Sequence, residues 1–224
     1  SRASASGPSN AALADRVPDG GLRRYLATPA PSRDTPVGRV PMLALDFETT
    51  GLDAEREHII SAGMVDVEGL AIPLGTATNL LVNPGKGVGQ SAIIHQLTDD
   101  ELLAQGVPLE RALDVVFDRL TGRVLLAHHA AVEVGFLSVA VGRLYGVRID
   151  IPAVDTLRLG HRALGEDEDH PPDALRLWRL RRRAALPTYR GHDAVVDALA
   201  CAELYLALAQ ELGIKTLAQA LRWS

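Results

Sequence analysis

Two acidic residues at the end of an apolar run indicate the chemistry that this sequence could perform. The apolar segment 40–45 leads directly into Asp46-Phe47-Glu48. Side chains alternate between the faces of a β-strand, so Asp46 and Glu48 project from one face and Phe47 from the other. Hard divalent cations such as Mg²⁺ and Mn²⁺ prefer oxygen ligands and relieve the repulsion between neighbouring carboxylates. The pattern predicts a metal site or, alternatively, a solvated acidic pair on an edge strand.

Further motifs follow this segment in a defined order. They are Leu45–Leu52, Ile59–Gly63, Ile94–Thr98, Leu126–Leu137, Asp155–Leu157 and His192–Ala198. In this order they resemble the motifs of the DEDDh (DnaQ-like) 3′→5′ exonucleases, a superfamily that includes the proofreading epsilon subunit of bacterial DNA polymerase III. The resemblance spans roughly residues 40–210 and is carried by several ordered pieces rather than by one.

The resemblance implies a metal-dependent hydrolase with a two-metal mechanism. Two ions, Mg²⁺ or Mn²⁺, would be held by four carboxylates, and His192 would accept a proton from the attacking water. The implied ligands are Asp46, Glu48, Glu133 and Asp197. The expected reaction is 3′→5′ hydrolysis of single-stranded ends to nucleoside 5′-monophosphates, with DNA favoured and RNA left open because no residue pattern reads a 2′-hydroxyl.

Two residues of the second motif depart from the family pattern. His129 stands where the family has Asn, and Glu133 stands where it has Asp. Glutamate keeps the charge but is one methylene longer, and metal-assisted chemistry depends closely on geometry. The alternative function is therefore a catalytically weak nucleic-acid-binding or polymerase-associated module with a degenerate site. His128, His129 and Glu133 also weakly resemble a zinc-ligand set.

The resemblance also implies a pocket for the terminal nucleotide. Its lining residues would be Thr49, Thr50, Leu52 and His129. Asp155 is expected to orient the neighbouring backbone rather than to bind metal. Aromatic residues make up only 4% of the chain, so an extended base-stacking platform is not expected. The substrate contact should therefore cover only a few nucleotides at the 3′ terminus.

The charge distribution differs from the net charge of −5. Eight arginines fall in the stretch 158–190 that leads to His192: Arg158, Arg162, Arg176, Arg179, Arg181, Arg182, Arg183 and Arg190. A local basic patch beside an acidic metal site would suit a phosphate backbone. The alternative is a solvated helix face that is balanced by the acidic run at 166–169.

The pattern of apolar runs and turn residues predicts an α/β fold. Strand-like runs near Met42–Phe47, His58–Val67 and Thr76–Val82 are in meander order. Val124–Ala127 is predicted to be a short buried strand, and Val154-Asp155 to end a fifth strand. Helices are predicted at 90–96, after a cap formed by Thr98 with Glu101, and after Pro108. Further helices are predicted around Glu133 and over Asp193–Leu212. The expected assembly is an RNase H-like mixed five-stranded sheet flanked by helices.

The N-terminal segment differs in composition from the rest. Residues 1–39 are expected to form an extension and linker, and residues 40–224 the exonuclease domain. A short helix over Asn10–Leu26 is predicted, followed by an extended linker with prolines at 29, 31 and 36. This arm is a candidate attachment point for a DNA polymerase or another protein.

The single cysteine and the lack of long apolar runs set the expected compartment. Cys201 lies within an apolar helical pattern and has no cysteine with which to pair. The sequence contains no run long enough for a membrane span. A cytoplasmic protein is therefore expected, with Cys201 packed in the core.

Overall fold

Six strands form one mixed sheet in the part of the chain that the computed structural model describes, residues 9–85, 99–165, 170–171 and 173–224. In chain order the strands are β1 (Pro41–Thr49), β2 (Ile59–Glu68), β3 (Thr78–Asn83), β4 (Val107–Pro108), β5 (Val124–Ala127) and β6 (Ala153–Asp155). Their spatial order is β4-β3-β2-β1-β5-β6. The strand β1, which carries Asp46 and Glu48, is therefore at the centre of the sheet.

The pairing of the strands confirms the predicted mixed topology. β1 pairs with β2 and β2 with β3 in antiparallel orientation, as expected for a meander. β5 and β6 then add in parallel orientation on the other side of β1. The two-residue β4, which pairs in parallel with β3, was not expected from the sequence. The central position of β1 excludes the edge-strand interpretation of its acidic pair.

Helices cover both faces of the sheet. In chain order they are α1 (Asn10–Leu13), α2 (Gly21–Ala27), α3 (Asp99–Gln105), α4 (Leu109–Leu120), α5 (Ala131–Tyr145), α6 (Thr156–Leu164), α7 (Leu177–Arg183), α8 (Ala194–Glu211) and α9 (Leu217–Trp223). None of the helices in the described ranges is long and apolar enough to cross a membrane. The helix α9 lies beyond the last helix that the sequence predicted.

The alternation of side chains along β1 separates two hydrophobic cores. Leu43, Leu45 and Phe47 belong to the core formed with α2, α4 and α5. Met42 and Ala44 belong to the core on the other face, formed with α6, α7, α8 and α9. Asp46 and Glu48 share the register of Met42 and Ala44, so they face α8.

The N-terminal segment folds against the sheet domain. The predicted single helix over Asn10–Leu26 is wrong, because α1 ends at Leu13 and α2 begins only at Gly21. Tyr25 of α2 packs against Phe117 of α4 with ring centroids 5.3 Å apart. The proline-containing segment that follows accepts backbone hydrogen bonds from α9, for example from Leu217 N to Thr35 O at 3.0 Å. The domain boundary at residue 40 stays a prediction.

Some expectations fall on residues outside the described ranges. These include the motif Ile94–Thr98, the helical stretch 90–96 and the acidic run 166–169, which was the alternative partner of the arginines. The helix α3 begins at Asp99, directly after the predicted cap Thr98. The cap and the acidic balance therefore stay predictions.

Gly63 allows α8 to approach the sheet closely enough to bring its acidic residue to β1. Gly63 lies opposite Asp46 in the register of β1 and β2. A Cβ atom at this position would overlap the carbonyl group of Ala194 and the amide nitrogen of Val195, at the start of α8. Only glycine lets the two backbones meet here, so Gly63 fixes the distance between β1 and the first turn of α8.

We expect the G63A substitution to destabilise the protein and to displace α8. Overpacking of a tight contact typically costs about 1–3 kcal/mol, and backbone atoms at Ala194 cannot rotate away as a side chain would. The free energy of unfolding from denaturant titration measures the effect. The matched control is G75A, because no atom lies within 4 Å of a Cβ at Gly75. Equal stability of the two variants would contradict this account of the close contact.

Candidate active site

Three carboxylates converge at the junction of β1 and α8. One oxygen each from Asp46, Glu48 and Asp197 lies within 4.8 Å of the others. Glu48 is buried, whereas Asp46 and Asp197 are partly exposed, so one side of the group is open to solvent. Asp46 and Glu48 lie on the same face of β1. Asp197 comes from the first turn of α8, which packs closely against Gly63.

The start of α8 positions Asp197. The side chain of Asp193 caps the helix by accepting hydrogen bonds from Val195 N at 3.1 Å and Val196 N at 3.3 Å. The backbone N–H of His192 donates to Oδ2 of Asp197 at 2.9 Å. This bond requires a left-handed backbone at His192, whose φ is 71°. His192 thus lies in the loop before the helix with its side chain exposed, next to the carboxylate group.

Glu133 approaches the same end of β1 from the first turn of α5. Its side chain is 3% exposed, and Oε2 has no hydrogen-bond partner among the described residues. Burial raises the pKa of Glu133 to about 8, although the backbone N–H groups of Glu133 and Phe47 act in the opposite direction. An unpartnered buried carboxylate oxygen is costly, and coordination of a cation would offset that cost.

The electrostatics of the group favour a cation. Burial first, and then the charges of Glu133, Asp197, Glu48 and Asp193, raise the pKa of Asp46 well above its usual value. Burial also raises the pKa of Asp197, against the lowering effect of the His192 N–H. These oxygen donors, crowded together and partly desolvated, fit a hard divalent ion. Glu133 is not one of the three residues whose oxygens lie within 4.8 Å of one another.

Asp155, the last residue of β6, supports the second motif. Oδ1 of Asp155 accepts hydrogen bonds from the backbone N–H groups of His129 and Leu157, both at 2.9 Å. The first bond holds His129 in a left-handed conformation with φ of 72°, and the second caps α6. The expectation that Asp155 orients its neighbours is confirmed. The side chain of His129 is exposed.

His128 has a structural role that excludes the zinc alternative. Its Nδ1 lies 2.9 Å from Oγ1 of Thr156, and its Nε2 lies 2.9 Å from the carbonyl oxygen of Leu175. Burial lowers the pKa of His128 to about 4, so the ring is neutral and both its nitrogens are engaged. No metal-ligand group among the described residues includes His128 or His129.

The turn after β1 uses its threonine hydroxyls internally. Oγ1 of Thr49 donates to the carbonyl oxygen of Gly51 at 2.7 Å. Oγ1 of Thr50 donates to the carboxylate of Glu57 and accepts a hydrogen bond from His58 N at 2.9 Å. Leu52 projects from this turn and is 81% exposed. The hydroxyls therefore stabilise the turn, and Leu52 and His129 are the members of the predicted pocket whose side chains are exposed.

Comparison with known proteins decides the family. A family model described as Exonuclease (RNase_T) matches residues 43–205, which include all the carboxylates described above. The chain belongs to this exonuclease family. The predicted resemblance to DnaQ-like exonucleases is thereby confirmed, and membership implies a nuclease that uses divalent metal.

The relatives of the exonuclease include polymerase subunits. DNA polymerase III PolC-type of Thermotoga maritima is 26% identical over 194 residues, which cover 84% of this chain but 13% of the relative. DNA polymerase III subunit epsilon of Treponema pallidum is 30% identical over 168 residues, covering 74% of this chain and 75% of the relative. The chain thus spans only a small part of the PolC-type polymerases.

Solved structures share the fold of the exonuclease at low sequence identity. E. coli Exonuclease I in complex with a dT13 oligonucleotide has a TM-score of 0.64 at 15% identity, covering 78% of this chain and 42% of that one. Exonuclease X in complex with 5′ overhanging duplex DNA has a TM-score of 0.57 at 20% identity, covering 83% and 99%. These matches confirm the predicted RNase H-like architecture.

The arginines of the predicted basic patch do not form one continuous positive surface in the structure. Several of its arginines are neutralised by acids, since Arg179 pairs with Asp173 at 2.6 Å and Arg183 with Glu211 at 2.5 Å. Arg181 is buried, bonds to the carbonyl of Ala200 at 2.7 Å and pairs with Glu203 at 2.8 Å. Arg181 therefore anchors α7 to α8 and does not belong to a phosphate-binding surface.

The positioning roles of Gly63 and Arg181 were not predicted from the sequence, which placed Gly63 in a family motif and Arg181 in a basic patch. A glycine inside an apolar strand pattern signals a close backbone approach, and Gly63 carries that signal. Arg181 lies in a run of arginines at 181–183, and nothing in the run distinguishes the buried member from the exposed ones. Its role follows only from the packing of α7 on α8.

We expect the metal-free exonuclease to lose stability as the pH rises from about 5 to about 8. Glu133 releases its proton near its ordinary value of 4.5 when unfolded but near 8 when folded. The folded state therefore binds more protons in this window, and one such group costs up to about 1.4 kcal/mol per pH unit. Denaturant titrations in EDTA measure the slope.

The matched control for this prediction is E133Q, whose carboxamide does not titrate. The variant should lose the part of the pH dependence that is due to Glu133 and keep the part due to Asp46, whose pKa is also raised by burial. A slope identical in E133Q and wild type would contradict the assignment of the buried proton to Glu133.

Proposed function

We propose that this exonuclease removes nucleotides from the 3′ ends of single-stranded nucleic acid, with DNA favoured, and releases nucleoside 5′-monophosphates. The observation that carries the proposal is the convergence of Asp46, Glu48 and Asp197 beside the unpartnered oxygen of Glu133. Two comparisons support it: the relative named DNA polymerase III subunit epsilon and the related fold of an E. coli Exonuclease I–ssDNA complex.

The proposed metal ligands are Asp46, Glu48, Glu133 and Asp197, and the proposed cofactors are two Mg²⁺ or Mn²⁺ ions. When bound, such ions neutralise charge on the phosphate and make water more acidic. The donor set fits them, because it consists of oxygen atoms and repels itself without a cation.

In this proposal His192 takes the proton from the attacking water. A histidine accepts a proton near neutral pH, and the exposed side chain stands at the solvent side of the carboxylates. The hydrogen bond from its own backbone N–H to Asp197 fixes the loop that presents the ring. The chain thereby couples the position of the base to the position of a ligand.

The substrate terminus would contact the turn after β1 and the start of α5. Leu52 presents an exposed apolar side chain for the last base, and the exposed His129 takes the position of the family asparagine. Thr49 and Thr50 act by shaping the turn, because their hydroxyls bond within it. The part of the substrate bound here is therefore one or a few nucleotides long.

A second candidate function is a nucleic-acid-binding module with a weak or inactive site. The observation that favours it is the position of Glu133, which lies outside the group of three convergent carboxylates and is largely buried. In that case single strands would bind without metal and the protein would not hydrolyse them. Attachment to a polymerase through residues 1–39 would accompany this role.

We expect D46N to abolish hydrolysis of a 5′-labelled single strand that the wild type shortens from its 3′ end with Mn²⁺ or Mg²⁺. Loss of one central carboxylate removes a ligand from the densest part of the group. Parallel DNA and RNA strands establish which sugar is preferred. Intact activity in D46N, or degradation from the 5′ end, would contradict the proposal.

We expect H192A to lower kcat by about 10²–10⁴-fold and to remove the acidic limb of the pH–rate profile. The control is H170A, since the ring of His170 bonds to the carbonyl of Gly165 at the far end of α6. A general base must change the pH profile, whereas a purely structural histidine would change stability alone. An unaltered profile in an active H192A variant would remove His192 from the mechanism.

We expect E133D to lose about 10²-fold in rate, because retraction of the carboxylate by one methylene misplaces a ligand that this backbone holds for glutamate. Rates and Mn²⁺ affinity of E133D and E133A separate the two candidate functions. Tight metal-independent binding of single strands by an inactive wild type, unchanged in E133A, would favour the binding module.

A further inference from the structure

A cleft of about 270 Å³ between α6 and α9 is lined by three arginines. Its walls include Arg158, His161 and Arg162 from α6 and Arg222 and Trp223 from α9. None of the described residues that line it carries a carboxylate. In a chain of net charge −5, such a cleft is suited to a polyanion.

The cleft also offers an aromatic ring beside its charges. The guanidinium carbon of Arg162 lies 4.6 Å from the ring centroid of Trp223, a cation–π contact that holds both groups at the wall. Arg158 and Arg222 are exposed, and neither forms an ion pair with any described residue. Phosphate-binding cations next to an aromatic face are the combination that binds single-stranded nucleic acid.

The cleft begins close to the carboxylate group. Asp155 caps α6 and holds the backbone of His129, and Arg158 lies only three residues further along that helix. On the opposite wall, the carbonyl of Leu175 contacts the ring of His128, the neighbour of His129. Three residues, a rise of about 4.5 Å along the helix, therefore separate Asp155 from the first cleft arginine.

We propose that this α6–α9 cleft binds the backbone of the single DNA strand on the 5′ side of the nucleotide being removed. The inference rests on the proposed function, because it extends the same substrate beyond its terminus. It also revises the expectation from composition that only a few terminal nucleotides are contacted, since Trp223 and the exposed Arg158 and Arg222 offer a second contact.

The test compares the binding of long and short strands by R158A/R222A and wild type. Fluorescence anisotropy with Ca²⁺ in place of Mg²⁺ follows 5′-labelled oligo-dT of about 16 and about four nucleotides. We expect the variant to bind the long strand about 10-fold more weakly, with a salt slope reduced by about 1.4 for two lost phosphate contacts. The affinity for the short strand should change less than twofold.

The matched control is R16A/R148A. It removes the same charge from exposed positions whose sequence neighbours Val17 and Val147 pack in the core on the other face of the sheet. The salt slope should stay at the wild-type value in this control. Equal weakening of both strand lengths by R158A/R222A, or an unchanged slope, would overturn the inference.

Emission of Trp223 provides an independent measurement. The chain has two tryptophans, so W178F leaves Trp223 as the only indole. Saturation with the long strand should change its emission, and the short strand should not. Absence of any change with the long strand would overturn the cleft assignment.

Failure of the inference is distinguishable from failure of the proposed function. A wild type that shortens strands from the 3′ end, with long-strand binding that R158A/R222A leaves unaltered, overturns the cleft alone. A wild type that hydrolyses no strand with Mg²⁺ or Mn²⁺ overturns the proposed function, whatever the cleft binds.

Discussion

The fold holds several carboxylates together in a partly buried place, although like charges repel and burial removes the water that would screen them. The cost is visible at Asp46, because burial and the surrounding acids all raise its pKa. The remaining architecture supports the arrangement: β1 is central, Gly63 admits the start of α8, and the His192 N–H holds Asp197. A divalent cation is the simplest group that converts this repulsion into attraction.

The two faces of the sheet differ in the groups that they carry. One face, packed against α2, α4 and α5, is an apolar core that joins the N-terminal segment to the domain. The other face carries the carboxylates at one end of β1, next to α8, and the cationic cleft between α6 and α9. Asp155 links these last two features, since one carboxylate both caps α6 and fixes the backbone at His129. A group of carboxylates and an arginine-lined cleft thus lie on the same face of the sheet.

Much of this arrangement could be predicted from local sequence patterns. The alternation along β1 placed Asp46 and Glu48 on one face, and the meander order gave the antiparallel pairs β1–β2 and β2–β3. The split between α1 and α2, the two-residue β4 and the role of Arg181 could not be predicted, because they depend on tertiary packing. The arginines at 179–183 could not be told apart from the sequence either. Their roles depend on ion pairs with Asp173, Glu203 and Glu211 that only the tertiary structure shows.

The central claim is that the carboxylate group exists to bind divalent metal, and calorimetry of Mn²⁺ binding to the metal-free protein tests it most directly. Near pH 7 Glu133, with a pKa of about 8, still holds a proton, and the pKa of Asp46 is also raised, so binding should release one or more protons. Titrations in buffers of different ionisation enthalpy measure that number. The wild type should bind Mn²⁺ and release protons, and D46N should do neither. Absence of binding, or binding that D46N leaves intact, would contradict it.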